Sequence, residues 1–370
     1  MQPPRPDEVE ISLFGPGYGE CIVIHTGDNQ WIVVDSCINS QYKKPAALHY
    51  LSLIGVNPAV SVKLIVASHW HDDHVRGLGR MYRECHAAGF VCSEALGSQD
   101  FFDVVYAQGY RLMSTGVSGL DEFREVFDEL ERRAQASGER LQPPHFAVAE
   151  RCLWRQTVSG ANVNCEVHSL SPSDASLMAS KLEIARFLQK PKEPKRGIWP
   201  SGKNHTAVAL WVSVGDRVAL LGADLEETDN KHTGWEAIVQ APSRPRGKAS
   251  VFKVPHHGSE TGHNDKVWID MLEKSPVAIL TPYGRGGLLL PQKSDVKRIC
   301  QLTNKIFITA PSSTKKRIQK RDSAVEKTLK DLGLEPRLVN NSIGHIRLRA
   351  KQGQDWNVKL FDQASEVKCV

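Results

Sequence analysis

The stretch IVASHWHDDHVRG, Ile65 to Gly77, sets three histidines and two aspartates within the six positions His69 to His74. It continues the apolar run KLIVASH (Lys63 to His69), whose content reads as a fully buried strand. Side chains alternate with period two along an extended chain, so His69 and His71 point the same way where the strand runs out. The turn that follows carries Asp73 and His74 towards a second centre. Imidazole nitrogen and carboxylate oxygen form a ligand set that suits zinc, manganese or iron rather than copper(I). An ordinary polar turn does not account for so many ionisable groups at this spacing after a greasy strand.

One motif leaves coordination positions open, and later strand exits offer further ligands. His205 stands at the mouth of HTAVALWVSV (His205 to Val214). Asp224 ends VALLGAD, where a lone carboxylate at a buried strand terminus is costly unless it is paired or metal-bound. His256 and His257 end VFKVPHH. Each alone reads equally well as a surface histidine, a cap or a turn residue. Together, in this order and at strand ends, they support one another.

The rest of the chain alternates strands and helices. VEISLFG (Val9 to Gly15), ECIVIHT (Glu20 to Thr26) and QWIVVDS (Gln30 to Ser36) read as strands, the first two joined by the glycine-rich turn GPGYG. Further strands are expected at Val163 to Pro172, Arg217 to Ala223, Ser250 to Gly258, Val277 to Gly284 and KIFITA, then at GHIRLRA and WNVKLFD. Ser118 caps a predicted helix reaching about Gln135, with Leu120, Phe123, Val126, Phe127 and Leu130 at three- and four-residue spacing. Residues from about 80 to 162 show no strong strand alternation and read as a mostly helical insertion. Interleaved strands and helices imply a layered α/β architecture in one domain spanning residues 1–370.

The chain has 370 residues, 41% of them hydrophobic and 24% charged, enough for a sizeable core. No apolar run reaches the length of a membrane span and no secretory signal is read at the start, so a cytoplasmic protein is expected. The eight cysteines are scattered without a CxxC pair and read as reduced thiols. Net charge is +5, with basic residues gathered at 190–203, 244–248 and 314–321. Each cluster reads equally as a solvated face or as an anion-attracting surface.

The series His69-x-His71-x-Asp73-His74, His205, LLGAD and KVPHHGS resembles the metallo-β-lactamase superfamily. More narrowly it resembles the branch that includes the metallo-hydrolase domain of the competence DNA-uptake channel protein. The likeness extends over LFGPGYGECIVIHT, WIVVDS, NHTAVALWVSVGDRVALLGADLE and, more loosely, LTPYG and LPQKSDVKRI, and leaves out roughly residues 80 to 162. It implies a four-layer αββα sandwich with metals at one edge. His69, His71 and His205 would hold one ion and Asp73, His74 and one of His256 or His257 the other, with Asp224 bridging. The likeness favours His257 as ligand and leaves His256, with Asp73, as catalytic, His256 touching the phosphoryl group or donating a proton. Glu226, two residues past Asp224, is expected either behind the metal ligands or beside the substrate. Asp35 is expected behind a ligand histidine, with plain structural use equally open. Many competence-type domains carry asparagine where this chain has His205, so the complete set here favours a dinuclear, catalytically competent site.

Two divalent ions, zinc first and manganese or iron as alternatives, would share a water and generate hydroxide as nucleophile. A basic chain and a loop bearing Lys195, Arg196 and Lys203 directly before His205 favour nucleic acid or nucleotides as substrate, with Trp199 placed to stack on a base or to pack. Hydrolysis of a small ester, thioester or lactone is the alternative chemistry. A metal-stabilised nucleic-acid-binding protein is the alternative class. The 80–162 insertion is expected to set substrate choice or to bind a protein partner.

Overall fold

The computed structural model describes residues 1–15, 19–97, 119–137, 145–158, 163–188, 204–285, 288–311, 325, 328 and 343–369. Among these, two eight-stranded sheets carry the fold. The first has the spatial order β19 (Asn357–Phe361), β18 (Gly344–Lys351), β1 (Glu8–Gly15), β2 (Cys21–Gly27), β3 (Gln30–Val34), β6 (Val62–Ala67), β7 (Gly89–Ser93) and β8 (His145–Ala147). The second runs β20 (Ser365–Glu366), β17 (Ile306–Ile308), β14 (Leu272–Leu280), β13 (Ala249–Lys253), β12 (Arg217–Leu221), β11 (Leu210–Val214), β10 (Val163–Ser169) and β9 (Arg151–Val158). Two small pairs, β4 (Ile38–Asn39) with β5 (Lys44–Pro45) and β15 (Tyr283–Arg285) with β16 (Leu288–Leu290), lie outside them.

Strand alternation sorts the side chains into layers. On β1, Val9, Ile11 and Leu13 point inward and join Val212, Leu221, Val251 and Ile279 of the second sheet in one inter-sheet core. Phe14 points outward instead, against Tyr50 of α1 (Ala46–Leu53), into an outer cluster that also takes in Met81 of α2 (Leu78–Glu84) and Phe123 of α3 (Gly119–Ser137). On β13, Phe252 likewise points outward, towards Trp235 and Ile238 of α5 (Gly234–Gln240) and Ile299 of α6 (Lys293–Cys300). α4 (Asp174–Leu188) precedes the second sheet's central strands in sequence. Helices, sheet, sheet, helices make the four-layer αββα sandwich. Burying each Val, Leu or Ile in its centre contributes about 1.5–3 kcal/mol, so the inter-sheet core holds the two sheets together.

Each sheet mixes antiparallel and parallel pairing. The steps β3–β6–β7 are parallel in the first, as are β12–β13–β14 in the second. Their carboxyl ends lie at the same edge of the sandwich, where backbone groups freed from the ladder and incoming loops make room for a site.

Residues 80–162 hold α3, whose Leu120, Phe123, Val126 and Phe127 are buried, and also β7, β8 and β9, which extend both sheets. β7 and β8 are short, and a bulge between Val167 and His168 shifts the pairing of β9 with β10. That irregularity blurs the alternation by which a strand is recognised. The eight-thiol reading needs correction: Cys300 and Cys369 form a disulfide. β20 pairs with β17 and Val367 N donates to Ile306 O, which carries the tail over the end of α6. A pair 69 residues apart leaves no local spacing signature. The basic clusters 190–203 and 314–321, with Lys195, Arg196, Trp199 and Lys203, and nearly all of SAVEKTLKDLG (323–333), whose sequence reads as a helix ending on Gly333, lie outside the described residues. The third cluster, Arg244 to Lys248, precedes β13 and so stands at the opposite end of that strand from His256. No helix among the described residues is long and apolar enough to cross a membrane.

Candidate metal centre

Five of the six strands in the two parallel sets, all but β7, deliver a polar residue to the site just past their ends. Asp35 follows β3, with its N–H donating to Val66 O; Ser68 and His69 follow β6. Asp224 lies three residues past the end of β12, His257 four past β13, and Thr281 directly follows β14. The HWHDDH loop is fastened from three sides. Glu20 N donates to Asp73 O, Ser36 N to His74 O, and Gly119 N at the start of α3 to Asp72 Oδ1. Glu122 of α3 accepts from Gly77 N and Gly79 N. Gly19, at φ +105°, lets the chain pass within 3.0 Å of Asp73 O measured from where a Cβ would stand.

Ligand-type atoms of Asp73, His74, Asp224 and His257 all lie within 4.8 Å of one another, and all four residues are buried. His74 Nε2 is 3.3 Å from Asp224 Oδ1, and His257 Nε2 is 3.3 Å from both Asp73 Oδ2 and Asp224 Oδ2. His69 Nε2 stands 3.9 Å from Asp224 Oδ2, and the His71 ring centre is 4.7 Å from that of His69. Asp224 is therefore the shared neighbour of three imidazoles. His205 is buried in the one-turn segment Asn204–Thr206, and Val208 N donates to Ser68 O, which sets that segment beside the residue preceding His69.

Four of these atoms, His69 Nε2, His74 Nε2, His257 Nε2 and Asp224 Oδ1, are sealed from solvent without a hydrogen-bond partner. Each such atom left unsatisfied costs about 1–3 kcal/mol. Three imidazole nitrogens and a carboxylate oxygen converging this closely fit a divalent transition-metal ion. Charge points the same way. Burial opposes ionisation of Asp224, but His257 and His74 outweigh it and hold the carboxyl well below its usual range. Asp73 is lowered by His74 and His257 against the same opposition. Burial works against a proton on His257, yet Asp224 and Asp73 lift it to about 9. His74 is raised likewise by Asp224, Glu20 and Asp35, whereas burial pushes His69 and His71 down.

Behind the histidines lies a saturated network. Asp35 Oδ1 accepts from Ser68 N at 2.7 Å; its Oδ2 accepts from Ser68 Oγ at 2.7 Å and lies 2.7 Å from His74 Nδ1. Ser68 Oγ is also 2.9 Å from His69 Nδ1, and Thr281 O and Oγ1 are 3.2 and 3.1 Å from His257 Nδ1. These contacts turn the Nε2 atoms inward. Glu20, Asp35 and His74 also cluster. Glu20, however, already takes Lys253 Nζ at 2.6 Å and Thr281 Oγ1 at 2.7 Å, so that trio supports the site rather than forming a second one. Asp35, Ala223, His256 and His257 all have positive φ, between 45° and 60°. Non-glycine residues in this region cost energy and persist where packing dictates them, commonly at functional sites.

His256 turns away from the cluster to the rim, its side chain 20% exposed. Its Nδ1 lies 3.0 Å from Glu226 Oε1 and 2.7 Å from Thr261 Oγ1. Glu226 Oε2 also accepts from Asn204 N, joining the His205 segment to the His256 loop. The substrate-side residues Lys195, Arg196 and Lys203 are not among the described ones. Glu20, Ser68, Lys253 and Thr281 were not singled out by sequence reasoning. Only Lys253 carries a signal, a charge ending the otherwise apolar run SVFK.

The model of the metallo-beta-lactamase superfamily matches residues 14–145, which include the HWHDDH loop and end before His205, Asp224 and His257. This match supports membership of that superfamily, and fold and clustered ligands together suggest a metal-dependent hydrolase. Among solved structures, the metallo-beta-lactamase fold protein YhfI from Bacillus subtilis is similar at 14% identity, over 66% of this chain and 70% of that one, with a TM-score of 0.31. A Cronobacter sakazakii metallo-beta-lactamase with a HARLDQ motif is similar at 12% identity, over 68% and 79%, with a TM-score of 0.35. No curated protein matches the chain.

Proposed function

We propose that the chain is a dinuclear metal-dependent phosphodiesterase acting on nucleic acid or nucleotides. The observation that carries the metal part is the convergence of four sealed ligand atoms, none of them hydrogen-bonded, supplied by both sheets. His69, His71 and His205 would hold one ion, and Asp73, His74 and His257 the other, with Asp224 touching both; zinc suits this nitrogen-rich set. Held by these residues, two such ions would supply Lewis-acid activation for hydrolysis. The protein's own residues do the rest. Asp35, Ser68 and Thr281 keep the ligand rings oriented. His256, with Nδ1 held by Glu226 and Thr261, presents Nε2 at the rim, where it can hydrogen-bond a phosphoryl oxygen or donate a proton to a leaving group. Lys195, Arg196 and Lys203, leading into His205, supply positive charge for an anionic substrate.

The test is to offer metal-loaded protein single- and double-stranded DNA, RNA, cyclic nucleotides and bis-p-nitrophenyl phosphate. Metal-dependent cleavage of at least one is expected. Inertness towards all of them, alongside turnover of a lactone or thioester, would overturn the phosphodiester assignment and leave the hydrolase standing.

A further inference from the structure

The ligands reach the centre from two different sheets: His69, His71, Asp73 and His74 from the first, Asp224 and His257 from the second. Their relative placement depends on how the sheets are locked at this edge, and apolar packing is non-directional. Directional contacts cross there, the Val208 N–H to Ser68 O and the Thr281 hydroxyl to Glu20 among them, and one of them carries a buried charge. Lys253, the last residue of β13, follows Val251 of the inter-sheet core and Phe252 of the outer layer, so alternation turns it inward towards the first sheet. It is fully buried. Its Nζ lies 2.6 Å from Glu20 Oε1, on the turn before β2, 2.8 Å from Ala223 O and 3.8 Å from Asp224 Oδ1. Glu20 is 1% exposed and also takes the hydroxyl of Thr281, whose oxygen faces His257 Nδ1. The Glu20 backbone N–H in turn holds Asp73 O. Ala223 sits in the left-handed region immediately before Asp224, and the lysine fixes its carbonyl.

We infer that Lys253, clamped on Glu20, is a positioning residue that sets the Asp224 carboxylate of the second sheet against the ligands of the first. The inference rests on the metal-centre reading above. Removing the ammonium has two opposed effects. A purely electrostatic role would make the carboxylate-rich centre more attractive to cations once the positive charge is gone. A positioning role makes binding weaker, because Asp224 and the loop carrying Asp73 lose their common anchor. The sign decides.

The experiment is Co2+ titration of the metal-free full-length protein, Lys253→Met, and the neutral pair Glu20→Gln/Lys253→Met, read by competition with a chelating dye and by the visible ligand-field bands. Lys253→Met is expected to weaken binding 10- to 100-fold and to alter the bands. The double variant removes the stranded buried carboxylate, so its metal-free thermal midpoint should recover towards wild type while its affinity stays low. Should the single variant not fold, the double variant alone gives the reading. Wild-type affinity and spectrum in the double variant, or tighter binding in either, would overturn the inference. Wild-type protein that takes up no Co2+ would instead sink the metal-centre reading itself.

Discussion

At the scale of single residues, ligand orientation is a matter of which ring nitrogen carries a proton. Asp35 accepts at His74 Nδ1 and so keeps Nε2 free to face Asp224. In Asp35→Asn an amide N–H facing that ring would push the proton to Nε2, the wrong tautomer for ligation. Asparagine tolerates φ of +60°, so the backbone should be kept. A 10- to 100-fold loss of metal affinity with little change in unfolding midpoint is expected, measured by metal titration and thermal melting. A second buried histidine acts on stability alone. His345 is stacked between Phe14 and Phe361, and burial, with Arg347 and Arg349 nearby, lowers it to about 3. Unfolded, it titrates near 6.5. The unfolded chain therefore binds the extra proton between those values, and this histidine's contribution is complete above about pH 6.5 and lost as pH falls towards 3. Urea midpoints should fall between pH 6.5 and 4 in the wild type and fall less steeply in His345→Phe.

At the scale of elements, α3 and the HWHDDH loop form one unit. A Cβ on Gly119 would stand 2.0 Å from Trp70 O, a clash with backbone that no side-chain adjustment relieves. Gly119→Ala should therefore displace the loop, costing about 1–3 kcal/mol as overpacking does. Metal affinity should fall with it, read by urea unfolding and metal titration on the same sample. Unchanged affinity would show that the loop holds its shape without α3. Elements also explain what could be read in advance. The motif from His69 to His74 was legible because its residues are contiguous on one turn after one strand. α3 was legible from its apolar spacing. β7, β8 and β9 were not, being short or bulged, and the Cys300–Cys369 bridge was not, because only the β17–β20 pairing brings its ends together.

At the scale of the whole molecule, the centre exists only where the two sheets meet. Candidate ligands could be named one strand end at a time, since each looks costly or purposeless alone. Glu20 could not, and the lone charge of Lys253 at the end of SVFK names no partner, because their pairing arises only once the sandwich closes. The same closure couples metal to stability. Ions binding the folded centre stabilise it by about 2.7 kcal/mol when free metal stands at a hundred times Kd. A chelator should lower the melting temperature of the wild type, and far less that of Asp224→Ala, whose centre has lost its shared ligand. The most direct measurement is metal content by inductively coupled plasma mass spectrometry on protein purified without chelators, wild type beside Asp224→Ala. A dinuclear centre requires close to two transition-metal ions per wild-type chain, with loss of at least one in Asp224→Ala. Wild-type protein that carries none, and takes up none from excess zinc or manganese, would contradict it.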